Sequence, residues 1–440
     1  MEDSFIIKGG KKLTGTLELS GAKNAALKMI IAALLYNEKV ILENIPRIND
    51  VTELLQLIKS LGAKADFIDK NVVEINPTYL AKNKVDLLFA SKIRASFMLF
   101  APLLHKFANC FVPNPGGCRI GARPIDRIVD GMKSLGIEVK YNSRTGYYEA
   151  KMVNKPKGHY QFVKPSHTGT ELLIMLSVFG KDKIVLENCA NEPEIDNLIE
   201  FLNESRAKIK KIDGRVEIEG VDKLKFNKPF KIIPDRNEAV TYICLTLATG
   251  GYITLNNLSV DTIGIFAEKL KQAGVEVKIN KDNSYFGYVN SLKPINVETS
   301  PHPGFMTDWQ PNWAVLMTQA QGKSTIHERV FENRFSYVEE LKKLGAKIKF
   351  VESKVSDPEN LYFFNYKKNK KYSQIIEIEG PVKLHTGALN IADLRAGASL
   401  AIAALIANGE SIVNGVSILE RGYEDFVEKV RKLGGEIKKI

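Results

Sequence analysis

The chain repeats itself six times. A short strand, a loop, an amphipathic helix and a glycine turn into a second strand recur, most clearly in VILENIPRINDVTELLQLIKSLGAKADF from Val40, STIHERVFENRFSYVEELKKLGAKIKF from Ser324 and SIVNGVSILERGYEDFVEKVRKLGGEIKKI from Ser411. Weaker copies begin at Phe111, Ile184 and Tyr252. Such a period limits the fold severely, because every copy must bury the same face against its neighbours. The turn positions are Gly62, Gly136, Arg206, Gly274, Gly345 and Gly434, at intervals of 74, 70, 68, 71 and 89 residues. Glycine there is the left-handed cap that ends a helix, so Arg206 predicts that the third copy ends its helix differently. The long last interval falls on the polar stretch Val355 to Ser373, which reads as a surface excursion outside the core.

Each copy also carries a more apolar helix before its strand, for example NAALKMIIAALL from Asn24, EAVTYICLTLATG from Glu238 and LRAGASLAIAALIANG from Leu394. Helices that are apolar on nearly every face are buried ones. The expectation is an α/β fold with helices packed inside sheets and three copies per half. A boundary near Ile233 and Pro234 gives two similar globular halves of ordinary domain size.

Composition narrows the class. With 44% hydrophobic and 26% charged residues, the chain has the makings of a core, not of a disordered polymer. Its net charge of +11 suggests nucleic acid, yet only 14 of the 62 basic residues are arginine, and dispersed lysine is a solvated surface that identifies no partner. Cys110, Cys118, Cys189 and Cys244 lack any paired spacing, which points to a reduced, cytoplasmic protein. The apolar run Met29 to Tyr36 is too short to span a bilayer, so no membrane segment or secretion signal is expected. The six histidines show no metal-ligand spacing, and no metal or cofactor is expected.

The chemistry sits at the junctions between repeats. At or before the buried helices stand Lys23 and Asn24, Arg94, Ser166 with His167 and Thr168, Asp235 with Arg236, Asp308, and Asp393 with Arg395; the loops before the outer helices add Cys118, Arg119, Arg123, Glu332, Arg334 and Arg421. Some of these are helix N-caps, Thr168 and Asp393 among the candidates. A cation at a helix N-terminus opposes the macrodipole. Such cations are explained either by a bound anion, for which planar arginines and helix amides are suited, or by structural ion pairs. The glycine-rich loop PNPGGCRIGARP, from Pro113 to Pro124, reads as a mobile lid that sets Cys118 beside Arg119 and Arg123, where positive charge favours the thiolate.

The segments GAKNAAL from Gly21, RAS from Arg94, PGGCRIGARP from Pro115, PHPGFMTDWQ from Pro301, VFENRF from Val330, DLRAGASL from Asp393 and ERGYE from Glu420 resemble, in order and spacing, the UDP-N-acetylglucosamine 1-carboxyvinyltransferase family of enolpyruvyl transferases. The resemblance covers essentially the whole chain. It implies two inside-out α/β barrel domains of three βαβαββ units each, residues 23–233 and residues 1–22 with 234–440, with the active site in the cleft between them. It implies transfer of enolpyruvyl from phosphoenolpyruvate to the 3-hydroxyl of UDP-N-acetylglucosamine, by addition and then elimination of phosphate.

By the same resemblance Cys118 is the proton donor and the target of the epoxide fosfomycin, and Asp308 contacts the 3-hydroxyl as base. Lys23, Asn24, Arg123, Arg334, Arg395 and Arg421 hold phosphoenolpyruvate, with Lys23 and Arg421 also catalytic. The sugar nucleotide falls to Arg94, to Arg123, Pro124, Ile125, Asp126 and Arg127, to Lys164, Pro165, Ser166 and His167, and to Asp308 and Val330. Two positions depart from the family pattern, Ile128 beside the uracil pocket and Trp309 after Asp308. Three alternatives stand beside this reading: an enolpyruvyl transferase acting on shikimate 3-phosphate, which usually shows GDKS where this chain has GAKN; a paralogue acting on another nucleotide; and a non-catalytic RNA-binding repeat protein.

Overall fold

A computed structural model describes residues 3–116, 125–280 and 283–440. The chain forms two compact units, one comprising residues up to Ser20 with 234–440, the other 21–116 with 125–233. Each is built from the same module. An outer helix such as Asn49–Ser60 is amphipathic, burying Val51, Leu54, Leu55, Leu57 and Ile58 and leaving the opposite face to water. The inner helices have no polar face. All of Arg236–Ala248 and all of Gln310–Met317 are buried, as is Leu394–Ile406 up to Leu405. These three pack on one another, and alanine, glycine and serine in the last of them let the backbones approach.

Around the helices lie small mixed sheets. Five have four strands in one pattern: a parallel pair extended by two antiparallel strands. Thus Phe230–Lys231 runs parallel to Val40–Glu43, His159–Gln161 to Ile184–Glu187, Thr14–Glu18 to Tyr252–Asn256, Val297–Glu298 to Gly322–His327, and Ala388–Asn390 to Gly409–Asn414. The N-terminal strand Ser4–Gly9 lies antiparallel between Gly409–Asn414 and Glu436–Lys439, completing the last sheet with residues from the other end of the chain.

Two details set the module's geometry. After three of the strands the chain turns at Asn44, Asn188 and Asn257, all with positive φ. Each of these side chains donates to a carbonyl at the end of the parallel partner strand: Asn44 to Ile232 at 3.0 Å, Asn188 to Phe162 at 2.6 Å and Asn257 to Leu19 at 3.1 Å. Asparagine tolerates the left-handed region and supplies the donor that ties the pair. The second detail corrects the expectation for Arg206. Its φ is +76°, matching the +106° of Gly62 and the +88° of Gly136, so the third copy ends its helix as the others do. Packing of the repeat fixes that turn, and an exposed arginine is held in a conformation usually left to glycine.

Candidate active site

In the unit built on 234–440, the loop before Gln310–Met317, the loop before Val338–Lys343 and the start of Leu394–Ile406 bring three of the residues singled out in the sequence together. The Asp308 carboxylate is 2.7 Å from Nη2 of Arg334 and 3.4 Å from Nε of Arg395. Both arginines are buried. Burial by itself would raise the Asp308 pKa, but the two guanidinium charges prevail and hold the carboxyl well below its usual range. Arg334 also donates from Nη1 to Thr307 Oγ1 at 2.8 Å, and that hydroxyl donates to Glu328 at 2.7 Å. The other Glu328 oxygen accepts the N–H groups of Val330 at 2.7 Å and Phe331 at 2.9 Å, shaping the turn that carries Val330. Arg395 lies 5.2 Å from the centre of the Tyr423 ring, two residues beyond Arg421.

The caps of the inner helices explain part of the acidic pattern. Asp393 accepts the N–H groups of Arg395 and Ala396, and Asp235 those of Asn237 and Glu238. Thr168 is not a cap: it lies within His167–Ser177, and Ser166 is the capping residue, accepting from the Gly169 N–H at 3.2 Å. Capping goes to the residue that precedes the first helical turn with extended backbone, and that is Ser166.

In the unit built on 21–233, Lys23 opens the buried helix Lys23–Ala32 and meets Asp50 at 2.7 Å, with both side chains about nine-tenths buried. Further along the same helix Lys28 lies 3.3 Å from Glu171, a fully buried carboxylate that is also 3.2 Å from His167. Burial disfavours the charged imidazole, yet Glu171 outweighs it and raises the His167 pKa, with Lys28 opposing and Glu192 assisting. Asn24 follows Lys23 in its helix, and Arg94 opens the segment Arg94–Leu99. Ile125, Asp126 and Arg127 form the start of Asp126–Ser134, while Lys164 and Pro165 lead into Ser166. Cys118, Arg119, Arg123 and Pro124 lie outside the described residues.

Gly116, at the near end of that loop, is held by a close approach: a Cβ there would stand 1.6 Å from the Ser91 carbonyl oxygen. Gly21 in GAKNAAL is required in the same way, 1.7 Å from the Asn44 carbonyl oxygen.

Ion pairing therefore accounts for Lys23, Arg334 and Arg395 in part, through Asp50 and Asp308, neither partnership being legible from spacing. It leaves donors over: Nε of Arg334 and Nη1 of Arg395 are buried without a hydrogen-bond partner among the described residues. A guanidinium whose donors are not all used retains capacity for a second anion.

The two departures from the family pattern are packing residues. Trp309 is buried, donates to Asn237 Oδ1 at 2.9 Å and stacks edge-on with Phe305 and Phe266. Ile128 belongs to the core of its unit. Among the described residues no cluster of three His, Cys, Asp or Glu side chains could hold a metal ion, and no helix is long and apolar enough to cross a membrane.

A sheet-wrapped helical core, with Arg395 at an inner helix start and Arg334 before an outer helix meeting at Asp308, is an arrangement with known relatives. The model of the family described as EPSP synthase (3-phosphoshikimate 1-carboxyvinyltransferase) matches residues 7–430. The fold is that of enolpyruvyl transferases of known structure: NikO from Streptomyces tendae aligns with a TM-score of 0.86 at 21% identity, covering 100% of this chain and 99% of that one. An EPSP synthase from Acinetobacter baumannii aligns at 0.75 and 15% identity, covering both chains fully.

Sequence is more specific than fold. A protein of Koribacter versatilis (strain Ellin345) named UDP-N-acetylglucosamine 1-carboxyvinyltransferase is 38% identical over 443 residues, covering 100% of this chain and 96% of its own. One of the same name from Halothermothrix orenii is 39% identical over 438 residues, covering 99% of each. The chain belongs to the UDP-N-acetylglucosamine 1-carboxyvinyltransferase family.

Proposed function

We propose that this protein transfers the enolpyruvyl group of phosphoenolpyruvate to the 3-hydroxyl of UDP-N-acetylglucosamine, the entry step of peptidoglycan precursor synthesis, in the cytoplasm and without a metal or cofactor. The observation that carries the reading is the pair of buried guanidinium groups with donors left over beside an acidic carboxylate. The full-length relatives of that name support it.

In this scheme the 3-hydroxyl gives its proton to Asp308 as its oxygen bonds to C2 of phosphoenolpyruvate, while a proton from Cys118 reaches C3, giving a tetrahedral phosphate adduct. Loss of a C3 proton then expels phosphate and leaves the enolpyruvyl ether. Lys23, Asn24, Arg123, Arg334, Arg395 and Arg421 hold the phosphate and carboxylate of phosphoenolpyruvate. Arg94, Arg123 to Arg127, Lys164 to His167, Asp308 and Val330 hold the sugar nucleotide. Asp308 as arranged is too acidic to be an effective base. A substrate anion that shares Arg334 and Arg395 would lower their hold on it and raise its proton affinity, coupling phosphoenolpyruvate binding to activation of the hydroxyl.

The test is phosphate release from the purified protein with UDP-N-acetylglucosamine and phosphoenolpyruvate, with Cys118→Ala and Asp308→Ala as inactive controls. Turnover with shikimate 3-phosphate and none with the sugar nucleotide would reverse the acceptor assignment.

A further inference from the structure

The connection between the strands Lys347–Val351 and Ile375–Gly380 differs from its counterparts. The hairpins at Asp69 to Val72, Asn142 to Tyr147, Ile212 to Arg215 and Ile279 to Asn283 turn within a few residues, whereas here the chain leaves the sheet at Val351 and returns at Ile375. The stretch is the surface excursion expected from its composition, exposed over most of its length, but two of its rings are tied down. Tyr362 and Phe364 are buried and stacked with ring centres 4.9 Å apart, and Tyr372 packs on Phe364 at 5.2 Å. Aromatic burial outweighs the polar composition of the stretch and folds it back on the body of its unit.

It folds back onto one place. The Phe363 N–H donates to the Arg329 carbonyl at 2.8 Å, and Lys370 pairs with Glu332 at 2.6 Å. The Ser373 N–H donates to Asn333 Oδ1 at 2.7 Å. Gln374 is buried and satisfies three backbone groups: its Nε2 donates to the carbonyls of Glu328 at 2.6 Å and Phe331 at 3.0 Å, and its Oε1 accepts from the Asn333 N–H at 2.7 Å. All these contacts fall on residues 329–333 and on the Glu328 carbonyl, and the next residue is Arg334. Asn333 itself sits at φ +50°, a conformation that the two ties help to hold.

We propose that residues 361–374 are a positioning element for the transfer reaction, with Gln374 as its central positioning residue, fixing the backbone from which Val330 and Arg334 reach the substrates. The inference rests on the function proposed above. A misplacement of about 1 Å in such a group can cost on the order of 100-fold in rate, so a segment distant from the chemistry acts through the loop it holds.

The test compares the full-length enzyme with Gln374→Ala, Gln374→Glu and the exposed control Lys368→Ala, by steady-state kinetics in both substrates and by amide hydrogen exchange over 328–334. Gln374→Ala is expected to raise the KM for phosphoenolpyruvate about tenfold, from the loss of buried hydrogen bonds, to speed exchange in that loop and to leave the inner helices protected. Gln374→Glu, which keeps the acceptor for Asn333 but turns a buried carboxylate on the Glu328 and Phe331 carbonyls, is expected to be no better than Gln374→Ala, and Lys368→Ala changes nothing.

Kinetics equal to the unaltered enzyme would overturn the proposal, as would loop exchange unaffected by Gln374→Ala. Should that variant fail to fold, Asn333→Gly suits the positive φ and removes only the tie to Ser373; it is expected to raise the same KM several-fold, and an unchanged KM counts against the brace. If the unaltered chain shows no turnover the functional reading fails, while the exchange measurement still decides whether the segment orders the loop.

Discussion

Nη2 of Arg334 and Nε of Arg395 approach the two oxygens of one carboxylate, that of Asp308, at 2.7 and 3.4 Å. Neither arginine is near Asp308 in sequence. Replacing Asp308 by Asn removes the one carboxylate that both buried guanidinium groups contact. Breaking a buried pair costs about 3–5 kcal/mol, and the partial exposure of Asp308 places the expected loss at or below the lower end. The folded-state pKa is depressed, so the stabilisation is complete above the ordinary carboxyl range and is lost only as pH falls through the depressed value. Denaturant titrations of wild type and Asp308→Asn at pH 5, 6.5 and 8 should give one constant difference; a gap that closes toward pH 5 contradicts the ion-pair account.

Lys28, Glu171 and His167 form a second buried group, in the other unit. The His167 pKa is raised, so its contribution to stability is full below about 6.5, the ordinary histidine value, and declines as pH rises through the folded-state value. Glu171→Gln should abolish that decline and also destabilise, by stranding Lys28. Substituting both, Lys28→Met with Glu171→Leu, should be much less destabilising than Glu171→Gln alone, because replacing a whole buried ion pair by apolar groups is often neutral or stabilising. Thermal unfolding across pH 5.5–8.5 measures both effects, and a double variant no better than the single one removes the pairing argument.

Arg206 is an exposed residue at φ +76°. Arg206→Gly relieves about 1–2 kcal/mol of left-handed strain and gives back about 0.4–1 kcal/mol through the greater freedom of the unfolded chain. A net gain of up to about 1.6 kcal/mol should appear as a raised Tm in calorimetry. A lowered Tm would mean that the arginine makes contacts worth more than the strain.

Cysteine chemistry should be confined to one site. Burial raises the thiol pKa of Cys110 and Cys244 and pushes that of Cys189 up to about 11. Cys118 stands in sequence between glycines and Arg119. Fosfomycin should therefore add once to the native protein, at Cys118, and not at all to Cys118→Ala, by intact-mass and peptide analysis. Modification of any other cysteine in the folded protein would show that burial does not protect it.

Much of this was readable in the chain. The period near 70 residues and the apolar inner helices are local patterns, and so are the arginines at repeat junctions. What escaped were partners. Asp50 for Lys23, Glu171 for Lys28 and Gln374 for the 328–333 loop come from distant segments, and no spacing rule connects them. Trp309 and Ile128 stand out in sequence only as departures from the family pattern; that both are buried is settled by what packs on their elements.

The sequence by itself determined the modular α/β architecture, since hydrophobic periodicity and turn chemistry act over a few residues and repeat wherever the pattern does. The family motifs named the chemistry. Tertiary structure alone decided which charges meet, that Arg206 adopts a glycine-like turn, and that a lysine- and tyrosine-rich excursion folds onto the Arg334 loop. Those outcomes depend on contacts between remote segments, where the burial of aromatic rings and the cost of an unpaired buried charge override local composition.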